Sequence, residues 1–223
     1  MEKPIIFLGP SLSHEKARKI FDADYRPPAK KGDFMRLAAD SNVKLVGFVD
    51  GVFLHDYPPT PIEVYQLARK DGVLLVGAAS LGALRAVELE KFGMVGIGKI
   101  FQLYKSGKIN ADDEVAVTFS PEGDYPLQSE AMIDIRYNLF LAQRKAVISI
   151  DVKRALARVA KKTYFPHRNY AHIIEQAKET HPVLANDIDS FGSYIALNRK
   201  SLKEIDAIRL VQYLKERYES TTG

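Results

Sequence analysis

The chain has 223 residues, 46 % of them hydrophobic and 27 % charged, with a formal net charge of +4 and no cysteine. This length buries a sizeable core, as one large domain or as one domain with an appendage. The missing cysteine excludes disulfides, thiolate metal sites and any persulfide or acyl-thioester carried on the chain itself.

The longest apolar stretches, 4–9 and 73–79, fall far short of the roughly 20 residues needed to cross a bilayer. The opening "MEKPIIFLGP" has neither a signal-peptide core nor a cleavage pattern behind it, so a cytoplasmic protein without a membrane partner is expected. Basic residues gather after about Lys145, but acids interleave with them on amphipathic patterns. That describes solvated helix faces rather than a nucleic-acid stripe, and no nucleic-acid partner is expected.

In chain order, "PIIFLGP" (4–10), "VKLVGFVDG" (43–51) and "VLLVGAA" (73–79) are β-rich and each closes on small or polar residues. They predict three buried strands. Helical patterns lie between them at 13–21, 32–41 and 60–72, the last with Thr60 as N-cap, Pro61 at the first helical position and Gly72 as terminator. A helix over 82–92 follows, then a strand or helix end in "GIGKIFQLYKSGKI" and a strand at 113–121. From 129 the chain reads as helical throughout, with breaks at Pro166, Pro182 and Ser201. The alternation predicts an α/β fold: an open, mostly parallel, Rossmann-like sheet with flanking helices, plus an all-helical C-terminal region. The expected division is an α/β core domain over 1–147 and a helical region over 148–223.

Ligands of such sheets collect beyond the carboxyl ends of the strands. Gly9-Pro10-Ser11, Asp50-Gly51 and Ala79-Ser80 converge there, making Pro10, Ser11 and Gly51 binding candidates. The segment Ala78–Gly82 has the form of a G-x-S-x-G nucleophile elbow, exposing Ser80 and leaving the N–H of Leu81 for an oxyanion. Its bland alternative is a Ser80 that simply caps the next helix. A serine nucleophile needs a base, and of the five histidines only His55 falls close to a strand end. Asp50, ending an apolar strand, orients a water, binds a cation or opens an Asp-Gly turn. Arg85 and Glu88, three apart on the helix after Ser80, either pair with each other or turn the arginine toward an anion. In "YRPPAKKGDF" (25–34), Asp33 reads as an N-cap, while Lys31 with Arg26 and Lys30 gathers a carboxylate or phosphate. The acidic run "DDE" (112–114) has no EF-hand spacing and reads as a solvated turn. There is no Walker lysine pattern, no G-x-G-x-x-G opening a helix after the first strand, and no H-E-x-x-H. No metal and no cofactor is expected.

Taken together, "IFLGPSL" (6–12), "RPPAKKGD" (26–33), "GFVDGVF" (47–53), "GAASLGALRAVELEKFGMVGIGKIF" (77–101), "DDEVAV" (112–117) and "SEAMIDIRYNL" (129–139) resemble the core of the TfuA-like family over residues 4–147. The resemblance implies an accessory protein of YcaO enzymes, which convert a backbone amide to a thioamide in methyl-coenzyme M reductase or in ribosomally made peptides. It further implies three partners: the YcaO enzyme, a thiocarboxylated ThiS-like carrier that the protein hydrolyses to release sulfide, and the substrate peptide or protein.

On that reading Ser80 and the N–H groups of its helix attack or hold the carrier's carbonyl, with Leu81 among the donors. Asp50 orients water or acts as base, and Arg85 or Lys31 meets the carrier's anionic C-terminus. Where the family pattern has a histidine two residues before the glutamate matched by Glu63, this chain has Pro61, leaving His55, or Asp50 with Glu63, to do that work. Two rivals remain: a non-catalytic adaptor that joins YcaO to its peptide, and a nucleotide- or phosphate-binding protein using Gly9–Ser11 and the Ala78–Gly82 turn.

Overall fold

The computed structural model describes residues 2–52 and 57–222. Its elements are β1 (Ile5–Phe7), α1 (His14–Ile20), β2 (Asp24–Arg26), α2 (Asp33–Ala39), β3 (Leu45–Phe48), α3 (Pro61–Ala68), β4 (Leu74–Ala78), α4 (Leu81–Leu89), β5 (Val95–Ile97), α5 (Gly98–Lys105), α6 (Met132–Arg144), α7 (Ile150–Lys162), α8 (Tyr170–Thr180), α9 (Ala185–Asn198) and α10 (Leu202–Thr222). The chain divides into two compact units, Met1–Asp112 with Pro121–Pro126 and Lys203–Gly223, and Asp113–Ser120 with Leu127–Leu202.

The first unit is built on five parallel strands in the order β2-β1-β3-β4-β5. This is the open parallel α/β sheet the alternation calls for. β1 and β3 are buried along their whole length, which is why they read as continuous apolar runs. Helix starts follow their caps: the Ser13 side chain accepts from the Lys16 N–H, and Thr60 with Glu63 forms a capping box ahead of Pro61. Strand β2 is a finding that the sequence hid, because Asp24-Tyr25-Arg26 is a three-residue edge with little apolar signal.

The core under β1, β3 and β4 is closed by the last helix, through Ala207, Leu210, Val211 and Leu214. Gly47 makes the seat: a Cβ there would lie 2.8 Å from side-chain carbons of both Leu210 and Leu214. Fully buried Asp206 fastens the same helix to α5, taking the Ile100 N–H at 2.7 Å and the Arg209 guanidinium at 3.1 Å.

The second unit packs α6–α9 around Met132, Ile135, Leu139, Leu156, Ile173 and Phe191. The strand expected at 113–121 does not form; a 3-10 turn at Asp112–Glu114 stands there, followed by a single antiparallel bridge, Phe119 to Leu127. Its charges decide this. Glu114, almost fully buried, takes a two-pronged hydrogen bond from Arg136 and a third from Lys161, and Asp113 is held by buried Arg168. The run is thus an ion-pair centre and not a solvated turn. Burial pushes the Glu114 carboxyl up, but the hydrogen bonds from Arg136 and Lys161 outweigh it and hold it below its ordinary range.

Two outcomes follow from these buried acids. Asp206→Ala orphans the Ile100 N–H, with an expected loss of about 2 kcal/mol in urea unfolding. Burial raises Glu130 from the ordinary 4.5 to about 6, against the pull of Arg199. A raised folded value binds protons more tightly in the native state, so this stability is present below about pH 4.5 and lost as pH rises through about 6. The loss is at most about 2 kcal/mol, since a tenfold difference in proton affinity is worth about 1.4 kcal/mol. Unfolding of Glu130→Gln across that window shows this slope removed.

Candidate functional site

Strand order 2-1-3-4-5 reverses direction between β1 and β3, and the carboxyl ends of those strands are where doubly wound sheets bind ligands. Asp50 follows β3 and is buried. Its Oδ2 accepts the N–H of Gly9 at 3.1 Å and of Ser11 at 3.0 Å, and its Oδ1 accepts the Ser11 hydroxyl at 2.6 Å. Asp50 therefore braces the loop after β1. Those loop amides are spent on a carboxylate and are not free to cradle a phosphate, which removes the geometric basis for a phosphate site at Gly9–Ser11.

The same loop is pinned from its other side. A Cβ on Gly9 would lie 2.5 Å from Pro28, so the "RPPAKKGD" segment lies directly on it. Gly51 pairs with Ala29 and faces Leu81, whose Cδ2 would be 2.5 Å from an added Cβ.

One strand further on, the chain turns from β4 into α4 through a backbone that L-residues rarely adopt. Ala79 has φ +64°, and the Ser80 N–H returns to the Ala78 carbonyl at 2.8 Å, closing a γ-turn of the uncommon positive-φ kind. Such a conformation costs on the order of 1–3 kcal/mol and persists only where its surroundings enforce it. Here the enforcement is packing: a Cβ on Gly82 would lie 1.7 Å from the Phe48 carbonyl oxygen, and one on Gly77 would lie 2.2 Å from the Gly82 carbonyl oxygen. The Gly82 N–H reaches Val49 O at 3.2 Å, so α4 is laid against the backbone of both β3 and β4.

Ser80 stands at the N-cap position yet does not cap. Its side chain accepts no hydrogen bond from the helix, and its hydroxyl has no partner among the described residues. The N–H of Leu81, first residue of α4, likewise has no acceptor among the described residues. Ser80 is only 2 % exposed. A hydroxyl and an N–H without partners thus adjoin in a nearly dry turn, where a dipole acts more strongly on a developing oxyanion than it does in water.

Other predicted residues are placed as follows. Arg85 pairs with Glu88 at 2.7 Å, and its Nε is buried with no hydrogen-bond partner among the described residues. Glu63 is buried with one oxygen on the Thr60 N–H and the other on the Gly32 N–H, both at 2.6 Å, which ties α3 to the 26–33 loop. Gly32, at φ +90°, takes the N-cap position expected for Asp33. Asp33 instead accepts from the Lys30 N–H and pairs with Arg36. Lys31 sets its ammonium 5.6 Å from the Tyr57 ring, and Arg26 pairs with Asp24. Pro10 lies half-buried in the braced loop. His55 lies outside the described residues. No group of three or more histidines and acids able to hold a metal occurs among the described residues, and no described helix is long and apolar enough to cross a membrane.

His14 joins this end of the sheet without having been singled out from the sequence. Its Nε2 lies 2.7 Å from the Leu8 carbonyl, so that nitrogen carries the proton, and its ring packs between Tyr25 and Tyr125. Only the fold carries this information, since a histidine at the start of an amphipathic helix has no distinguishing pattern.

Fold and turn together define an open parallel α/β protein with a strained serine turn at the carboxyl edge of its sheet. The family model for TfuA-like protein matches residues 50–169, and the chain belongs to the TfuA-like family, which is linked to YcaO thioamidation. The match opens on Asp50 and runs past the Ser80 turn to Asn169, beyond the ion-pair centre of Glu114 and Arg168. No curated protein matches the chain.

The bracing of the β1 loop is testable. Asp50→Ala leaves three donors unpaired in a buried loop, with an expected loss of about 3 kcal/mol in denaturant unfolding. Combined with Ser11→Ala, it should show a coupling of at least about 0.5 kcal/mol.

Proposed function

We propose that this protein hydrolyses the thiocarboxylate of a ThiS-like carrier and hands the sulfide to a YcaO enzyme, helping that enzyme engage its peptide. The observation that carries this reading is a serine hydroxyl and the next residue's N–H, both without partners among the described residues, directly after the strained Ala79. A helix cap would have used that hydroxyl; a reaction centre leaves it available.

In this scheme the Ser80 oxygen adds to the carbonyl carbon of R–CO–S⁻, its proton passing to a general base, for which the sequence offers His55, and the new oxyanion takes the Leu81 N–H. The C–S bond then breaks with its electron pair on sulfur, which takes up the proton given up by Ser80 and leaves as hydrosulfide. Water cleaves the resulting ester, returning the carrier as a carboxylate and Ser80 as a hydroxyl. Since the chain has no cysteine, sulfur is never held on it. Asp50 and Glu63, with both oxygens of each already accepting, position the loops around the turn. Lys31 offers charge to the anionic tail of the carrier.

The test is sulfide release from purified thiocarboxylated carrier without the YcaO enzyme. Ser80→Ala, with its circular dichroism unchanged, is expected to slow release by at least about 100-fold. A wild type that releases no sulfide, yet raises the affinity of YcaO for its peptide, would replace hydrolysis with the adaptor role.

A further inference from the structure

Within the second unit, the end of α7 and the start of α8 enclose an open cleft of about 630 Å³. Its polar lining includes Lys162, His167, Asn169 and His172, with Tyr164 and Pro166 supplying an apolar ledge, and none of its lining residues is acidic. Tyr164 is 56 % exposed and meets His167 edge to face at 6.0 Å between ring centroids. Neither Lys162 nor either histidine has an ion-pair partner among the described residues. One turn before Lys162 on the same face of α7, exposed Arg158 also has none among the described residues.

Lys162 and Arg158 contrast with their neighbours. In the same unit Lys161 is committed to Asp113 and Glu114, Arg168 to Asp113, and Lys178 to Glu175 and Asp189. A row of uncommitted donors beside an aromatic ledge is the arrangement that receives carboxylate side chains. The cleft falls within the 300–1,000 Å³ typical of ligand pockets, far larger than an inorganic ion needs.

We infer that this cleft is a binding site for an acidic segment of a polypeptide, with Arg158, Lys162 and the two histidines facing its carboxylates and Tyr164 covering a side chain between them. The site is separate from the chemistry at Ser80, and it stands whether or not the protein releases sulfide.

Fluorescence anisotropy on the full chain tests it, using a labelled ten-residue peptide of alternating glutamate and leucine and its glutamine counterpart. The acidic peptide is expected to bind at least 10-fold more tightly, and doubling the salt should weaken it. Lys162→Ala with His172→Ala should cut that affinity at least 10-fold with the helical signal intact, while Lys108→Ala, on the other unit, leaves it unchanged. Equal binding of both peptides, an equal loss in Lys108→Ala, or full displacement by inorganic phosphate at peptide-like concentration would each overturn the assignment.

Discussion

Everything at the sheet's carboxyl edge depends on how closely α4 lies against β3. With Gly82 backed onto the Phe48 carbonyl and Gly77 onto the Gly82 carbonyl, there is no room for a gradual passage from strand to helix. The chain must reverse within Ala78–Ser80, and the left-handed Ala79 is the residue that absorbs the turn. The strain is held by close packing, which favours contact at every atom along the approach. Serine stands where the turn ends, and the geometry that bends the backbone also withholds from its hydroxyl the helix N–H that a cap would take.

Carboxylates then stabilise the loops around the turn. Asp50 and Glu63 are both buried, and each uses its two oxygens to accept from backbone N–H groups or a hydroxyl of a neighbouring loop. A buried charge that is fully hydrogen-bonded is a fixed strut, because any movement of the loop would leave it uncompensated in a poor solvent. This gives the TfuA-like core a braced frame around Ser80, built by acids whose oxygens are already taken.

The second unit uses charge differently. Glu114 and Asp113 meet Arg136, Lys161 and Arg168 around a 3-10 turn, an arrangement in which every ionised group has a partner. Lys162, without an ion-pair partner among the described residues, faces the cleft between α7 and α8. One part of the unit neutralises its cations internally, and another presents them.

The sequence by itself determined the parallel α/β class, the buried strands β1, β3 and β4, the N-cap at Thr60 and the membership of Ser80 in a strand-to-helix turn. These rest on local facts: apolar runs, small residues at junctions, and caps whose partners lie three residues away. Only the tertiary structure decided what is non-local. The edge strand β2 exists because β1 offers it a ladder, and 113–121 fails as a strand because its acids find cations some 22 to 55 residues away. Likewise, Asp50 was visible as a carboxylate at a strand end, but the donors that make it a brace lie about 40 residues earlier. Whether Ser80 caps or presents its hydroxyl turned on the approach of Gly82 to Phe48, a contact between backbones on which local sequence pattern is silent.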